Sequence, residues 1–204
     1  MKILICGDSF AADWTVKYTG SGWPNMLADK YQVTNLAQAG CSEYKILKQL
    51  ESTDFNSYDR IIVSHTSPYR IYVERHPIHH NDPLHKNCDL IYSDLKEHAS
   101  THPEVVPIIE YFEKYFNFDQ ARDMHNLLCE KIEHKLDHLG DRVIHIINVN
   151  FGQCTYQFKN MINFQNLFAS NRGKFNHFDD HGNQQVFQEI SKLLERDEGI
   201  EPST

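Results

Sequence analysis

No stretch of the 204 residues is apolar for long enough to cross a bilayer. The longest runs resemble VIHII at Val143–Ile147, whereas a spanning helix needs about 20 residues. The opening MKILICGDSF has neither the charged region nor the longer apolar stretch of a secretory leader, so a cytoplasmic protein is expected. Positive charge is scarce. Twenty Lys and Arg face 28 Asp and Glu, a net charge of −8, and no basic stripe interrupts the balance. Such a surface repels a phosphate backbone, so neither nucleic acid nor a membrane is an expected partner. The five cysteines (Cys6, Cys41, Cys88, Cys129 and Cys154) are odd in number, scattered and without a CxxC pair. This pattern argues against a disulfide framework and against a cysteine-rich zinc centre. There is also no internal repeat.

What is present is the alternation of a single α/β domain. Ile3–Cys6 reads as a short buried strand, followed by a helix over Gly22–Tyr31 with Pro24 in its first turn and Met26, Leu27 and Ala28 inward. Val33–Ala37 reads as a second strand. Ser42 then caps a helix whose apolar face is Ile46, Leu47 and Leu50. Ile61–Ser64 and Arg142–Val149 read as further strands. Glu104–Tyr115 and Asp119–Leu139 have helical spacing, the second with a stripe of Ala121, Met124, Leu128, Ile132, Leu136 and Leu139. A short helix near Met161–Ala169 and a final one over Gln184–Leu194 complete the pattern. Short buried strands alternating with helices imply a mainly parallel sheet covered on both faces, a three-layer α/β/α sandwich. Residues 1–195 form the expected domain, with a partly helical insertion at about 69–118 and a flexible tail at 196–204.

Ligands of open parallel sheets bind beyond the carboxyl ends of the strands. Those ends carry Gly7-Asp8-Ser9, then Gly40 in NLAQAG, then SHTSPYR, and NHFDDHGNQ precedes the last helix. Together these blocks resemble the GDSL-like, or SGNH, hydrolase superfamily, which has a flavodoxin-like fold, and the resemblance covers nearly the whole chain. It implies that Ser9 is the nucleophile of the GDS block, that Gly40 supplies an oxyanion-hole amide and that His177, five residues before Gly182, is the general base. The family's GxND loop is replaced by SHTSPYR, similar to a divergent branch with a T-S-P-x-R loop, so Thr66, Ser67 and Arg70 are the expected oxyanion or substrate-binding groups. Lys174 stands where the family's triad aspartate is usual. His177 would then work as a Ser–His dyad, or be oriented by a backbone carbonyl or by Asp179 or Asp180.

The residues also permit plainer roles. Ser9 and Asp8 suit a turn or cap, Gly40 suits a turn, and His181 competes with His177 as the base. The thirteen histidines include a cluster of His76, His79, His80 and His85 with Cys88. Its prolines and irregular spacing favour a solvated, flexible loop over a metal site, and no metal or cofactor is expected. His125, His134 and His138 are expected to be exposed. Tyr69, Tyr72, Tyr111, Tyr115 and Phe116 suit either a lid or the core.

Serine is a poor nucleophile until a base takes its proton, and histidine titrates in the right range to do so. The resemblance therefore implies an esterase or deacetylase acting on a small or carbohydrate-linked acyl ester through an acyl-Ser9 intermediate, with Asp8 beside it in the catalytic block. An acyltransferase on the same residues, or a non-catalytic carbohydrate- or metabolite-binding protein on the same fold, is the alternative.

Overall fold

A computed structural model describes residues 1–148, 155–173 and 177–196. Among them, five parallel strands form the central sheet: β1 (Lys2–Gly7), β2 (Gln32–Asn35), β3 (Arg60–His65), β6 (Val143–Ile147) and β7 (Met161–Asn163), in the order β2-β1-β3-β6-β7. A two-stranded antiparallel ribbon, β4 (Arg70–Ile71) with β5 (Leu90–Ile91), stands apart from it. The helices are α1 (Trp23–Ala28), α2 (Glu43–Glu51), α3 (Tyr92–His98), α4 (Val106–Lys114), α5 (Phe118–Leu136), α6 (Gln165–Ser170) and α7 (Asp180–Arg196). The chain is an α/β protein with helices on both faces of a parallel sheet.

Alternation along β1 divides the core. Ile3 and Ile5 face one layer with Trp23, Leu27, Val186, Ile190 and Leu194, from α1 and α7. Leu4 and Cys6 face the other layer with Ile46, Leu47, Leu50, Ile132 and Leu136, from α2 and α5. Each such aliphatic side chain contributes roughly 1.5–3 kcal/mol by leaving water. A third cluster of Leu90, Leu95, Val105, Ile109 and Phe112 lies within the segment that follows β4.

Several local expectations are corrected. Met161–Asn163 is a strand paired in register with His145–Ile147, and the helix begins only at Gln165. Ala28 is exposed. On α5 the buried face is His125, Cys129, Ile132 and Leu136, while Met124 is 53% exposed. His125 turns inward because the Thr66 carbonyl and the Glu43 carboxylate wait for it there. Residues 76–88 are not a solvated loop. His76 is fully buried, and successive tight turns run through Asp82, whose Oδ1 accepts from the amides of Leu84 and His85. Helix α7 starts at Asp180 and continues through Arg196. Val149, Cys154, Lys174 and residues 197–204 lie outside the described residues. Among the described residues no helix is long and apolar enough to cross a membrane.

Candidate active site

The sheet order reverses direction at β1: the chain steps to β2 on one side and returns to β3 on the other. A crevice opens beyond the carboxyl ends at such a point. A cavity of about 620 Å³ lies there, lined by Ser9, Gly40, Ser67, Arg70 and His177 among others. Residues separated by 168 positions in sequence, Ser9 and His177, thus share one cavity.

The carboxyl end of β1 is held firmly. From α2, Gln49 accepts the Gly7 amide at 2.8 Å and donates to the Gly7 carbonyl at 3.2 Å. Ser9 follows at 8% exposure, and its carbonyl accepts from the indole of Trp14 at 2.7 Å. Asp8 points away from solvent. Its Oδ1 accepts the Phe10 amide at 3.0 Å, and its Oδ2 accepts the Thr66 hydroxyl at 3.0 Å and the Arg70 guanidinium at 3.3 Å. Burial raises the Asp8 pKa above the ordinary carboxylate value, opposed chiefly by the charge of Arg70.

Gly40 is required by geometry. Its φ is +75°, and an added Cβ would stand 2.5 Å from Cβ of Cys88. The Gly40 carbonyl accepts from the Asp89 amide at 3.0 Å, and the Asp89 carboxylate accepts from the Ser42 amide at 2.7 Å and pairs with Lys45 at 2.8 Å. The loop after β2 is therefore clamped to the segment just before β5. Among the described residues, no hydrogen bond uses the amides of Ser9 or Gly40.

The SHTSPYR loop spends its polar groups locally. The Thr66 hydroxyl is committed to Asp8, the Ser67 hydroxyl accepts the Tyr69 amide at 3.4 Å, and Arg70 bridges Asp8 and the Cys41 carbonyl, the latter at 2.6 Å. Arg70 nevertheless lines the cavity. Its guanidinium offers a fixed fork of donors, two of which these contacts take.

His177 stands just before α7 and is fixed by backbone bonds to the segment after α6. Gly173 donates to the His177 carbonyl at 2.7 Å, Asp179 donates to the Asn171 carbonyl at 2.9 Å, and Arg172 bridges Phe178. The imidazole lies against Phe10 and Trp14, with ring centroids 4.8 and 4.5 Å away. Gly182 lets α7 approach Asn171 and Phe178 closely, since a Cβ there would sit 2.9 Å from both. The Asp179 carboxylate accepts the Gly182 amide at 2.7 Å. Asp180 and His181 are exposed, and His181 contacts Gln185.

A buried polar chain that the sequence reading missed runs from α2 through β3 to β6. Glu43 contacts His65 Nδ1 at 2.7 Å, accepts the Thr66 amide at 3.2 Å and meets His125 Nε2 at 3.2 Å. His65 Nε2 continues to His145 Nδ1 at 2.9 Å. Burial works to raise the Glu43 pKa, but His65 and His125 outweigh it and hold the carboxyl well below its ordinary range. Burial, helped by His65, pushes His145 down to about 2. A signal existed: Glu43 sits on the same helical stripe as Ile46, Leu47 and Leu50, a carboxylate on an apolar face. Compared with known proteins, the chain matches no protein-family model and no curated sequence.

Proposed function

We propose that the protein is a serine hydrolase of ester bonds, with the cavity at the β1/β3 switch as its active site. The observation that carries this reading is the convergence of Ser9, Gly40 and His177, from three distant parts of the chain, on one cavity. Ser9 Oγ attacks the acyl carbon while its proton passes to His177. The tetrahedral oxyanion is held by the amides of Ser9 and Gly40, the groups best placed for it because Thr66 is occupied by Asp8. Collapse breaks the ester C–O bond, and His177 returns the proton to the leaving alkoxide. Water then attacks the acyl-enzyme, gives its proton to His177, and releases the carboxylic acid as Ser9 is reprotonated.

Asp8 and Arg70 serve this chemistry as supports: Asp8 anchors Thr66 and Arg70, and Arg70 fixes the carbonyl next to Gly40 in sequence, that of Cys41. Trp14, Tyr18, Tyr69, Tyr92 and Phe118 also line the cavity, an aromatic surface suited to a sugar or other small acyl carrier. A sugar hydroxyl in place of water would make the same site an acyltransferase.

The test is covalent. A serine-directed fluorophosphonate should label the protein once, at Ser9 by peptide mapping, and p-nitrophenyl acetate should give a burst that Ser9→Ala abolishes. No labelling at Ser9, together with a burst absent from the native protein, overturns the hydrolase in favour of a binding protein.

A further inference from the structure

The cavity has a second chemical feature, in the segment running from β4 through α3 that the hydrolase residues leave unused. Three histidine rings gather around one carboxylate. His79 Nε2 is 3.0 Å from both oxygens of Asp94, His98 Nδ1 is 3.6 Å from Oδ1, and His76 Nε2 is 3.8 Å from Oδ2. His79, Asp94 and His98 each bring a ligand atom within 4.8 Å of the other two, and all three line the cavity shared with Ser9.

We propose that His79, Asp94 and His98 form a divalent-cation site of the zinc type on the wall of this cavity. Two imidazoles and a carboxylate are the donor set of an open zinc centre, in which three protein ligands leave a position for water or substrate. Zinc–nitrogen bonds of about 2.0–2.1 Å in a tetrahedron put neighbouring donor atoms about 3.3 Å apart. His79 Nε2, 3.0 Å from the Asp94 carboxylate, already stands close to that spacing, and the ligand atoms of all three residues lie within 4.8 Å of one another, so binding requires ring rotations rather than a backbone rearrangement. The Nδ1 of His98 is 2.9 Å from the Asp94 main-chain carbonyl, which fixes the ring and leaves the lone pair on Nε2 of the neutral imidazole.

His76 supplies the independent observation. It is fully buried, and its Nδ1 accepts the amides of Ile78 and His79, both at 3.2 Å. The neutral ring therefore carries its proton on Nε2, which has no hydrogen-bond partner and points toward Asp94 from beyond bonding distance. Asp94 is meanwhile held by His79 through both oxygens. A cation between His79 and Asp94 releases one of these oxygens to accept from His76, satisfying the orphaned N–H and orienting the ligand, a recurrent second partner of metal-bound carboxylates. The alternative trio of His76, His79 and Cys88 is a poorer set, because the His76 Nδ1 lone pair is already taken by the two amides. The Glu43, His125 and Cys129 trio is fully buried, and its carboxylate is engaged by the Thr66 amide and His65. Bound on the cavity wall, the ion would hold an oxygen of a substrate whose ester lies at Ser9. That last role rests on the hydrolase reading, while the site itself does not.

The test is Zn²⁺ titration of the metal-stripped full chain by calorimetry at neutral pH, with zinc K-edge X-ray absorption on the loaded protein. One saturable ion per chain is expected, with affinity unchanged in Ser9→Ala. Affinity should fall about 100-fold or more in His79→Gln and His98→Gln, and about 10- to 100-fold in His76→Phe. The absorption edge of the wild-type protein should show a nitrogen and oxygen shell containing two imidazoles. No saturable binding, full affinity in the His79→Gln/His98→Gln double variant, or a sulfur shell near about 2.3 Å each overturns the site. The spectroscopy needs no variant to fold. Intact zinc binding without Ser9 labelling would leave the metal site standing and remove the hydrolase.

Discussion

The guanidinium of Arg70 rests on the carboxylate of Asp8 and at the same time donates to the Cys41 carbonyl. One side chain, 8% exposed, therefore ties the loop after β1 to the loop after β2, the two loops that carry Ser9 and Gly40. Its own position is set by β4, whose pairing with β5 begins at Arg70 itself.

That arrangement makes Arg70 a structural requirement of the site. Removing one member of a buried ion pair leaves an uncompensated charge and costs about 3–5 kcal/mol. Arg70→Ala is expected to lower stability by that order. Arg70→Lys keeps the charge but cannot hold both acceptors in one fork, and should lose most of the ester-hydrolysis rate. Urea unfolding and turnover of the best p-nitrophenyl ester measure the two effects. Native stability and native turnover in both variants would contradict this role.

The buried chain Glu43–His65–His145 predicts sensitivity to acid. His65 Nε2 and His145 Nδ1 face each other at 2.9 Å with room for one proton, so both rings cannot be charged in this geometry. His145 has an ordinary value of 6.5 and a folded value of about 2. Across that interval the unfolded chain binds the extra proton, so stability falls as pH falls. Glu43 acts with the same sign over a lower range. Its folded value lies below the ordinary 4.5, so the stability it contributes is present above that value and is lost as pH drops through the folded one. The urea midpoint should therefore decline steadily from neutral to acid pH. His145→Phe should flatten the upper part of the decline and Glu43→Gln the lower. A midpoint that is constant through the ordinary histidine range in the wild-type protein would refute the assignment.

The same chain shows where sequence reading reaches and where it stops. The strands expected at Ile3–Cys6, Ile61–Ser64 and Arg142–Val149 were legible because both faces of the sheet are buried there, which fills them mostly with apolar residues, His145 being an exception. The placement of Ser9 followed from the first of these strands, and that of Gly40 from the second strand, expected at Val33–Ala37 and found at Gln32–Asn35. The first half of helix α5 was misphased by one position, because Met124 is apolar and His125 is not, while Ile132 and Leu136 are buried as expected. What buries His125 is Glu43 and Thr66, at positions no local period can register. Strand β7 escaped because three residues cannot show an alternation, and its register comes from β6. The compact turns of 76–88 escaped for a related reason: Asp94, around which the histidines gather, belongs to the next helix.

The two histidines flanking the start of α7 separate the hydrolase reading from its plainer rivals. His177 lies in the cavity against Phe10 and Trp14, whereas His181 is exposed on the helix and contacts Gln185. General-base catalysis by a positioned side chain is worth about 10²- to 10⁴-fold in rate. His177→Gln is expected to lose that factor in the acylation burst. His181→Gln, four residues along and of identical chemistry, should react at the wild-type rate. Folding of both variants is checked by urea unfolding, because His177 packs between two aromatic rings and its replacement disturbs that contact. Gln retains some of this packing, so a loss of rate without a matching loss of stability identifies the proton-transfer role. Equal rates in His177→Gln and the wild type would remove His177 from the mechanism, and a selective loss in His181→Gln would transfer the base to α7.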